Sequence, residues 1–391
     1  MVDLGPIHNS HLTAVRRCKR KFWYAFIEGI QPKQPGLPLA RGIWLHYCLE
    51  AQYLKWGLED GTLLRVPEYT NIDGVGKVRL ITSEDKPPVL VIDDPTFGPE
   101  ALYPLSARGM LSLLTDHVWS RLLQGEREKY TEDGHTLPEA CERILTEYFY
   151  YWREDYFKNR EFDVLLVEVE WKRNDGKNDR EGRIDYVIRN KRGQIVVGDW
   201  KSTKSEPHAE YKFMESQLHL YPWGVQPLLK ELGLTDKELN NIIVEFDYLS
   251  TKLPTTPSLN QDGSMSKRKI NTTYLTVFNF LKENGLKWSK EEVEEYLEKT
   301  EKVFFVKKTL PRSKKVTDNL LKEDKEDIEL IDRIAENPEA ATRTVSLHCN
   351  WDCDFLELCK GELYEQDMRY IRKTKYETRS NSHAGVVTNE D

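Results

Sequence analysis

The chain has 391 residues, 39% hydrophobic and 11% aromatic, with a formal net charge of −8. That length can bury a substantial core in one large or two modest domains. The negative balance excludes a protein that coats nucleic acid through its overall charge, so any such contact must be a local basic patch. No run approaches the roughly 20 apolar residues of a membrane span, and MVDLGPIHNS is no secretory leader. A soluble, intracellular, cytoplasmic protein is expected, and six cysteines in so long a chain are read for metal chemistry rather than as a disulfide framework.

Ser10 to Glu28 reads as a helix capped by Asn9 or Ser10, with Leu12, Val15 and Phe22 on one side and Arg16, Arg17, Lys19, Arg20 and Lys21 around Cys18. Cys18 alone is most simply a small buried residue. After a Pro-rich link, Ala40 to Trp56 reads as a second helix that aligns His46, Leu49, Glu50 and Tyr53 on one face. His46 is there either a core histidine paired with Glu50 or a nitrogen ligand to a metal. From Gly57 to Pro104 only short strand-like pieces such as Val89 to Asp93 stand out. Leu105 to Gln124 and Pro138 to Phe157 look helical, the latter with a core-like aromatic band of Tyr148, Phe149, Tyr150, Tyr151, Trp152, Tyr156 and Phe157.

Phe162 to Lys172 is a strand bearing Glu168 and Glu170, either of which could add a carboxylate to a site, although solvated glutamates are the simpler reading; Asn174 to Arg180 is the loop that follows. Glu181 to Thr203 then holds two strand-like runs interrupted by Asn190, Lys191, Arg192 and Gly193. A three-residue loop with glycine in the left-handed position places Asp185 opposite Asp199. The same register sets Val187 against Val197 and Arg183 against Lys201, while Ile184, Tyr186 and Ile188 share the other side with Trp200, Gly198 and Val196. Opposed carboxylates about 5 Å apart destabilise a sheet, so a cation between them is expected. Mg²⁺ or Mn²⁺ suits oxygen ligands, and Lys201 on the same face could stabilise charge developing on a phosphate.

Pro207 to Lys230 reads as an amphipathic helix with Gln217 and Tyr221 four apart on one face, and Asn241 to Thr251 as a fourth strand. Pro254 to Ile270 is a polar, mobile loop ending in Lys267, Arg268 and Lys269, a candidate phosphate contact. Ser289 to Lys302 is a charged helix, and a second basic stretch runs from Lys307 to Lys315. Five segments follow: N-terminal helices (1–56), a largely helical insertion (57–160), a central core (161–252), a C-terminal segment (253–373) and a disordered tail (374–391).

His348 to Cys359 packs Cys349, Cys353 and Cys359 into one short stretch. A fourth soft ligand would complete a tetrathiolate site, and Cys18 is the best candidate because its basic neighbours stabilise thiolates; Cys48 and Cys141 are alternatives. Four thiolates suit a [4Fe-4S] cluster, whereas structural zinc would accept three with His348.

Together the Ser10, Leu12, Cys18, Phe-Trp-Tyr start, the G-x3-H of Gly42 and His46, the GRID of Gly182 to Asp185, the GDWKS of Gly198 to Ser202, the Q-x3-Y of Gln217 and Tyr221 and the terminal cysteines resemble the PD-(D/E)xK nuclease superfamily. Within it they resemble the RecB-type branch, with its iron–sulfur exonucleases of CRISPR adaptation, nuclease domains of bacterial break-repair complexes and phage relatives. Three residues, not the usual two, separate Cys349 from Cys353. The resemblance implies an α/β (α+β) fold with a restriction-endonuclease-like core: a central mixed sheet flanked by helices, with helical additions and a metal-cluster clasp joining the N- and C-terminal parts. It implies Mg²⁺ or Mn²⁺ on His46, Asp185, Asp199 and the Trp200 carbonyl, with Lys201 orienting water, Gln217 and Tyr221 shaping the site, and Cys18, Cys349, Cys353 and Cys359 holding the cluster. A DNA exonuclease acting on single strands or ends is expected. The competing readings are an endonuclease with the same chemistry and a non-catalytic end-binding assembly subunit. No G-x4-G-K-[ST] phosphate loop occurs, so any unwinding needs a helicase or recombination partner.

Overall fold

The computed structural model describes residues 4–379 apart from 34–35, 68, 73, 84–85, 93–100, 154–156, 158–160, 205–215, 299–302, 311–312 and 352. Its centre is a five-stranded sheet of β1 (Phe162–Asn174), β2 (Asp179–Asn190), β3 (Ile195–Thr203), β4 (Ile243–Ser250) and β5 (Phe305–Leu310), in the order β5-β4-β3-β2-β1. Only β3 and β4 run parallel, a step that needs a crossover connection; the other neighbours are antiparallel. The sheet is therefore mixed, as expected of this core. Helices α2 (Leu37–Asp60), α3 (Leu137–Tyr151) and α4 (Ser216–Glu231) pack on it, while α1 (Asn9–Arg17) packs with α5 (Lys314–Glu336) and α6 (Leu356–Leu363) with the residues around Tyr24.

The β2–β3 hairpin turns where its loop chemistry dictates. Gly193 has φ of 74°, a conformation costly for any residue with a Cβ, and its N–H donates to the Asn190 carbonyl at 2.8 Å. Val187 pairs with Val197 and Tyr186 with Gly198, and there the paired ladder stops. Asp185 and Asp199 are thus not a paired couple, nor are Arg183 and Lys201. Arg183 pairs with Glu170 of β1, and Lys201 with Tyr248 of β4. Beyond Gly198 the Trp200 N–H donates instead to Asp185 Oδ2 at 2.6 Å.

Two apolar layers hold the sheet. Tyr186, Ile188, Val196 and Trp200 pack with Trp44, Leu45, Leu49 and Tyr53 of α2 and with Tyr148 of α3. Val187, Val197, Val244, Phe246 and Tyr248 pack under Tyr221, Val225 and Leu229 of α4; Ile184, beyond the paired part of the hairpin, joins this second layer.

Several expectations change. The first helix breaks at Cys18, which is extended (φ −165°, ψ 117°), and resumes over Lys19–Phe22 and a π-turn at Trp23–Ile27. The 57–160 insertion is not largely helical. Beside α3 and the helix Ala107–His117 it carries a four-stranded antiparallel sheet of Tyr69–Ile72, Gly76–Ser83, Lys86–Ile92 and Ala101–Pro104, with β-branched pieces too short to read individually as strands. Asp93 and Tyr156 lie outside the described residues, as do 207–215 of the helix expected from Pro207 and 299–302 of the helix expected from Ser289. The 254–270 loop is pinned by Met265, buried among Val277, Phe280 and Tyr296. Residues 374–378, expected in a disordered tail, end a helix (Arg369–Lys375) and form a strand (Tyr376–Thr378) antiparallel to Ile30–Pro32. Tyr376 stacks on Phe355 and its hydroxyl donates to the Asp354 carbonyl at 2.6 Å; 380–391 lie outside the described residues.

Lys307, read within a surface basic stretch, is buried in β5 with its Nζ 2.5 Å from Asp247 Oδ2. Asp247, wholly buried, also accepts from Tyr148. A lysine so enclosed is tolerable only because carboxylates pair with it.

Candidate active site

The site forms where α2 crosses the splayed end of the hairpin. A Cβ at Gly42 would stand 2.7 Å from Ser202 Oγ, so glycine there lets the helix lie against β3. His46 follows one turn later. Its Nε2 is 2.9 Å from Asp185 Oδ2, and its Nδ1 is 3.2 Å from Glu168 Oε1. These, rather than Glu50, are its partners, and the ring stands edge-on to Trp200.

Glu168 reaches the site through its backbone. It sits between Val167 and Val169, which pair with Tyr186 and Ile184, but has φ of 50°. A non-glycine residue held there costs about 1–3 kcal/mol and marks a position with a task. Its Oε2 is 2.9 Å from Arg183 Nε. The ligand atoms of His46, Glu168 and Asp185 all lie within 4.8 Å of one another. Glu170 is exposed and takes no part. From β3, Asp199 places Oδ2 2.6 Å from Lys201 Nζ and accepts the Tyr221 hydroxyl on Oδ1 at 3.1 Å. Gln217, one turn before Tyr221 on α4, donates to that hydroxyl.

A family model described as the PD-(D/E)XK nuclease superfamily matches residues 9–360. The chain belongs to the PD-(D/E)XK nuclease superfamily. That membership implies a metal-dependent nuclease. No curated protein matches the chain. Among solved structures, the crystal structure of SSO0001 is similar at 13% identity and a TM-score of 0.26, covering 64% of this chain and 79% of that one, too slight a likeness to carry an argument.

The electrostatics of this nuclease site suit a cation. Burial alone would lower the His46 pKa, but Asp185 and Glu168 raise it to about 10. Burial pushes Asp199 up to about 6, with Lys201 pulling it down and Asp185 adding to the rise. Glu168 is raised by burial despite His46 and Arg183. Asp185 stays below the usual carboxylate range because His46, Lys201 and the Trp200 N–H outweigh its burial. Asp185 and Glu168 thus hold a proton on the imidazole. A divalent ion can take that proton's place, and oxygen-rich ligands with one imidazole fit Mg²⁺ or Mn²⁺.

The cysteines gather elsewhere. Cys18, Cys349, Cys353 and Cys359 line one cavity of about 50 Å³ with Arg17, Arg20, Lys21 and His348. Arg343 Nε donates to Cys359 Sγ at 3.3 Å, Thr344 N–H to Cys18 Sγ at 3.5 Å and Ser346 N–H to Cys349 Sγ at 3.5 Å. Cys48 of α2 and Cys141 of α3 are instead buried in the core. Among the described residues no helix is long and apolar enough to cross a membrane.

Residue-level reasoning left Glu168 in doubt because only its backbone twist turns it inward. It missed β5 and α5 outright, although the Ile328, Ile331, Ile334 spacing in α5 was a usable helical signal.

Proposed function

We propose that this chain is a Mg²⁺- or Mn²⁺-dependent DNA exonuclease that works on single strands or DNA ends. The observation that carries this reading is the convergence of His46, Glu168 and Asp185 within 4.8 Å, with Lys201 held on Asp199 at 2.6 Å. His46, Glu168, Asp185, Asp199 and the Trp200 carbonyl would hold the ion. Once bound, it supplies Lewis-acid charge at the scissile phosphate and lowers the pKa of the attacking water. Hydrolysis adds water across one P–O bond, leaving a phosphate monoester and a hydroxyl. Lys201 presents its ammonium to the phosphate oxygens, where charge grows as the bond breaks. Tyr221, steadied by Gln217, holds Asp199 so that Lys201 stays in place. Arg183 aims Glu168 and opposes the rise that burial gives its pKa.

The four cysteines hold a [4Fe-4S] cluster in this reading. Support comes from their common cavity and its basic wall; burial pushes the Cys353 thiol up, with Lys21 pulling it down. Tetrahedral zinc at about 2.3 Å from each sulfur would draw the sulfurs to about 3.8 Å. Structural zinc held by three of them with His348 is the alternative. The role is a clasp, and the setting is recombination, repair, phage DNA metabolism or CRISPR adaptation, with a helicase or recombination partner supplying any unwinding.

The test is degradation of end-labelled linear single-stranded DNA by anaerobically purified protein with Mg²⁺ or Mn²⁺ against EDTA. Release of label that disappears in Asp199→Ala is expected. Cutting of circular single strands would make it an endonuclease, and tight end binding without cleavage an assembly subunit. Iron and sulfide analysis of the wild type and Cys353→Ser decides the cluster: one zinc and no iron would refute it.

A further inference from the structure

Beside the active site, between the start of α1 and α4, lies a cavity of about 210 Å³ whose wall includes Gln217, Tyr221 and Arg183. Gln217 and Tyr221 lead directly to Asp199, so the cavity and the catalytic residues share a border.

The lining is rich in donors. Trp171, opposite Gly182 in the β1–β2 ladder, is only 6% exposed, and its indole N–H has no hydrogen-bond partner among the described residues. A buried donor left unmade carries a desolvation penalty that an arriving acceptor removes. Asn9 and Ser10 bring the first turn of α1 to the wall, where helix amides carry partial positive charge. Arg180 and Arg183 add guanidinium groups, each held in place by a carboxylate: Arg180 by Asp324 at 2.6 Å and Arg183 by Glu168 at 2.9 Å. The carboxylate in the wall, Glu181, is already engaged by His8 Nε2 at 2.9 Å and Lys172 Nζ at 3.0 Å. A ligand with several acceptor oxygens and negative charge is what such a wall recognises.

We propose that this cavity is a phosphate subsite, holding the phosphate of the nucleotide next to the bond being cut. The inference rests on the nuclease reading above and adds a second anchor for the same strand. Two phosphates held at once align the strand in one direction across Lys201, and so set which side of the scissile bond is released.

The test is binding without turnover. Fluorescence anisotropy in EDTA would follow a labelled hexadeoxynucleotide bearing a 5′-phosphate, a 3′-phosphate or neither, with inorganic phosphate as competitor. Two variants probe the wall: Trp171→Phe removes the N–H and keeps the bulk, and Ser10→Asp puts a carboxylate at an exposed position where helix starts favour one, so the fold is retained and melting temperature checks it. If one terminal phosphate binds about tenfold tighter and both variants erase the preference, the subsite reads a strand end. If the three bind alike and both variants weaken all of them about fivefold, it holds an internal phosphate. Unchanged binding in Ser10→Asp, or no competition by phosphate, overturns the inference. Phosphate binding without metal-dependent cleavage would instead sink the nuclease reading alone.

Discussion

Replacing Asp199 by asparagine should remove activity and, in the absence of metal, make the protein more stable. Asp199 is 2% exposed, and burial lifts its pKa from 3.8 to about 6. The folded carboxyl therefore keeps its proton to a higher pH than the unfolded one. The stability this group lends is fully present below about pH 3.8 and is lost as pH rises through about 6. A gap of about two pH units is worth about 3 kcal/mol at neutral pH. An asparagine in its place cannot ionise, yet keeps an oxygen to accept the Tyr221 hydroxyl. In EDTA at pH 7.5, Asp199→Asn should gain about 3 kcal/mol, or roughly 4 °C in melting temperature, and by pH 5 about half of the advantage should be gone. Adding Mn²⁺ at about a hundred times its Kd should return about 2.7 kcal/mol to the wild type and clearly less to the variant. Differential scanning calorimetry at both pH values decides it. A variant less stable than wild type at pH 7.5, or an advantage that does not change with pH, refutes the account of Asp199 as a carboxylate held for a cation.

Lys201→Ala should lower kcat by about a hundredfold or more while DNA binding in EDTA persists; a filter-binding assay beside single-turnover cleavage would show a joint loss if the lysine were merely structural. Glu168→Gln should weaken Mn²⁺ binding by at least about tenfold in calorimetry, and unchanged affinity would remove Glu168 from the ligand set. Asp324→Ala should cost about 3–5 kcal/mol in urea unfolding, because Arg180, 2% exposed, sits 2.6 Å from its Oδ2 and Arg16 2.5 Å from its Oδ1; a loss under 1 kcal/mol would show that water relieves the stranded guanidinium.

What the sequence made legible was what local chemistry decides. Gly193 and its loop set the hairpin register without help from the rest of the fold, and the i, i+4 spacing of Gln217 and Tyr221 put both on one helical face. The end of that register at Gly198 was not legible, because the parting of β2 and β3 depends on α2 crossing above them. Glu168 was hidden for a similar reason: φ of 50° in a strand leaves no trace in residue type. Lys307 misled because a run of basic residues looks solvated, and only pairing with β4 reveals its carboxylate partners. The insertion misled because short strands that pair only with one another carry weak periodicity, and tertiary contacts decide them.

Arg16 and Asp327 are 311 positions apart in the chain and 2.6 Å apart in the structure, and α1 completes its core only against Ile328, Ile331 and Ile334 of α5. On a ribosome, the hairpin and its carboxylates emerge well before α5 does. Until α5 is synthesised, α1 lacks the apolar surface of Ile328, Ile331 and Ile334, and the wall it lends beside Gln217 and Tyr221 is not braced. Contacts of such long sequence separation form late. A nascent polypeptide that has not yet reached α5 would thus expose the carboxylates of the candidate site without a finished groove beside them, and the site is completed only after α5 has been made.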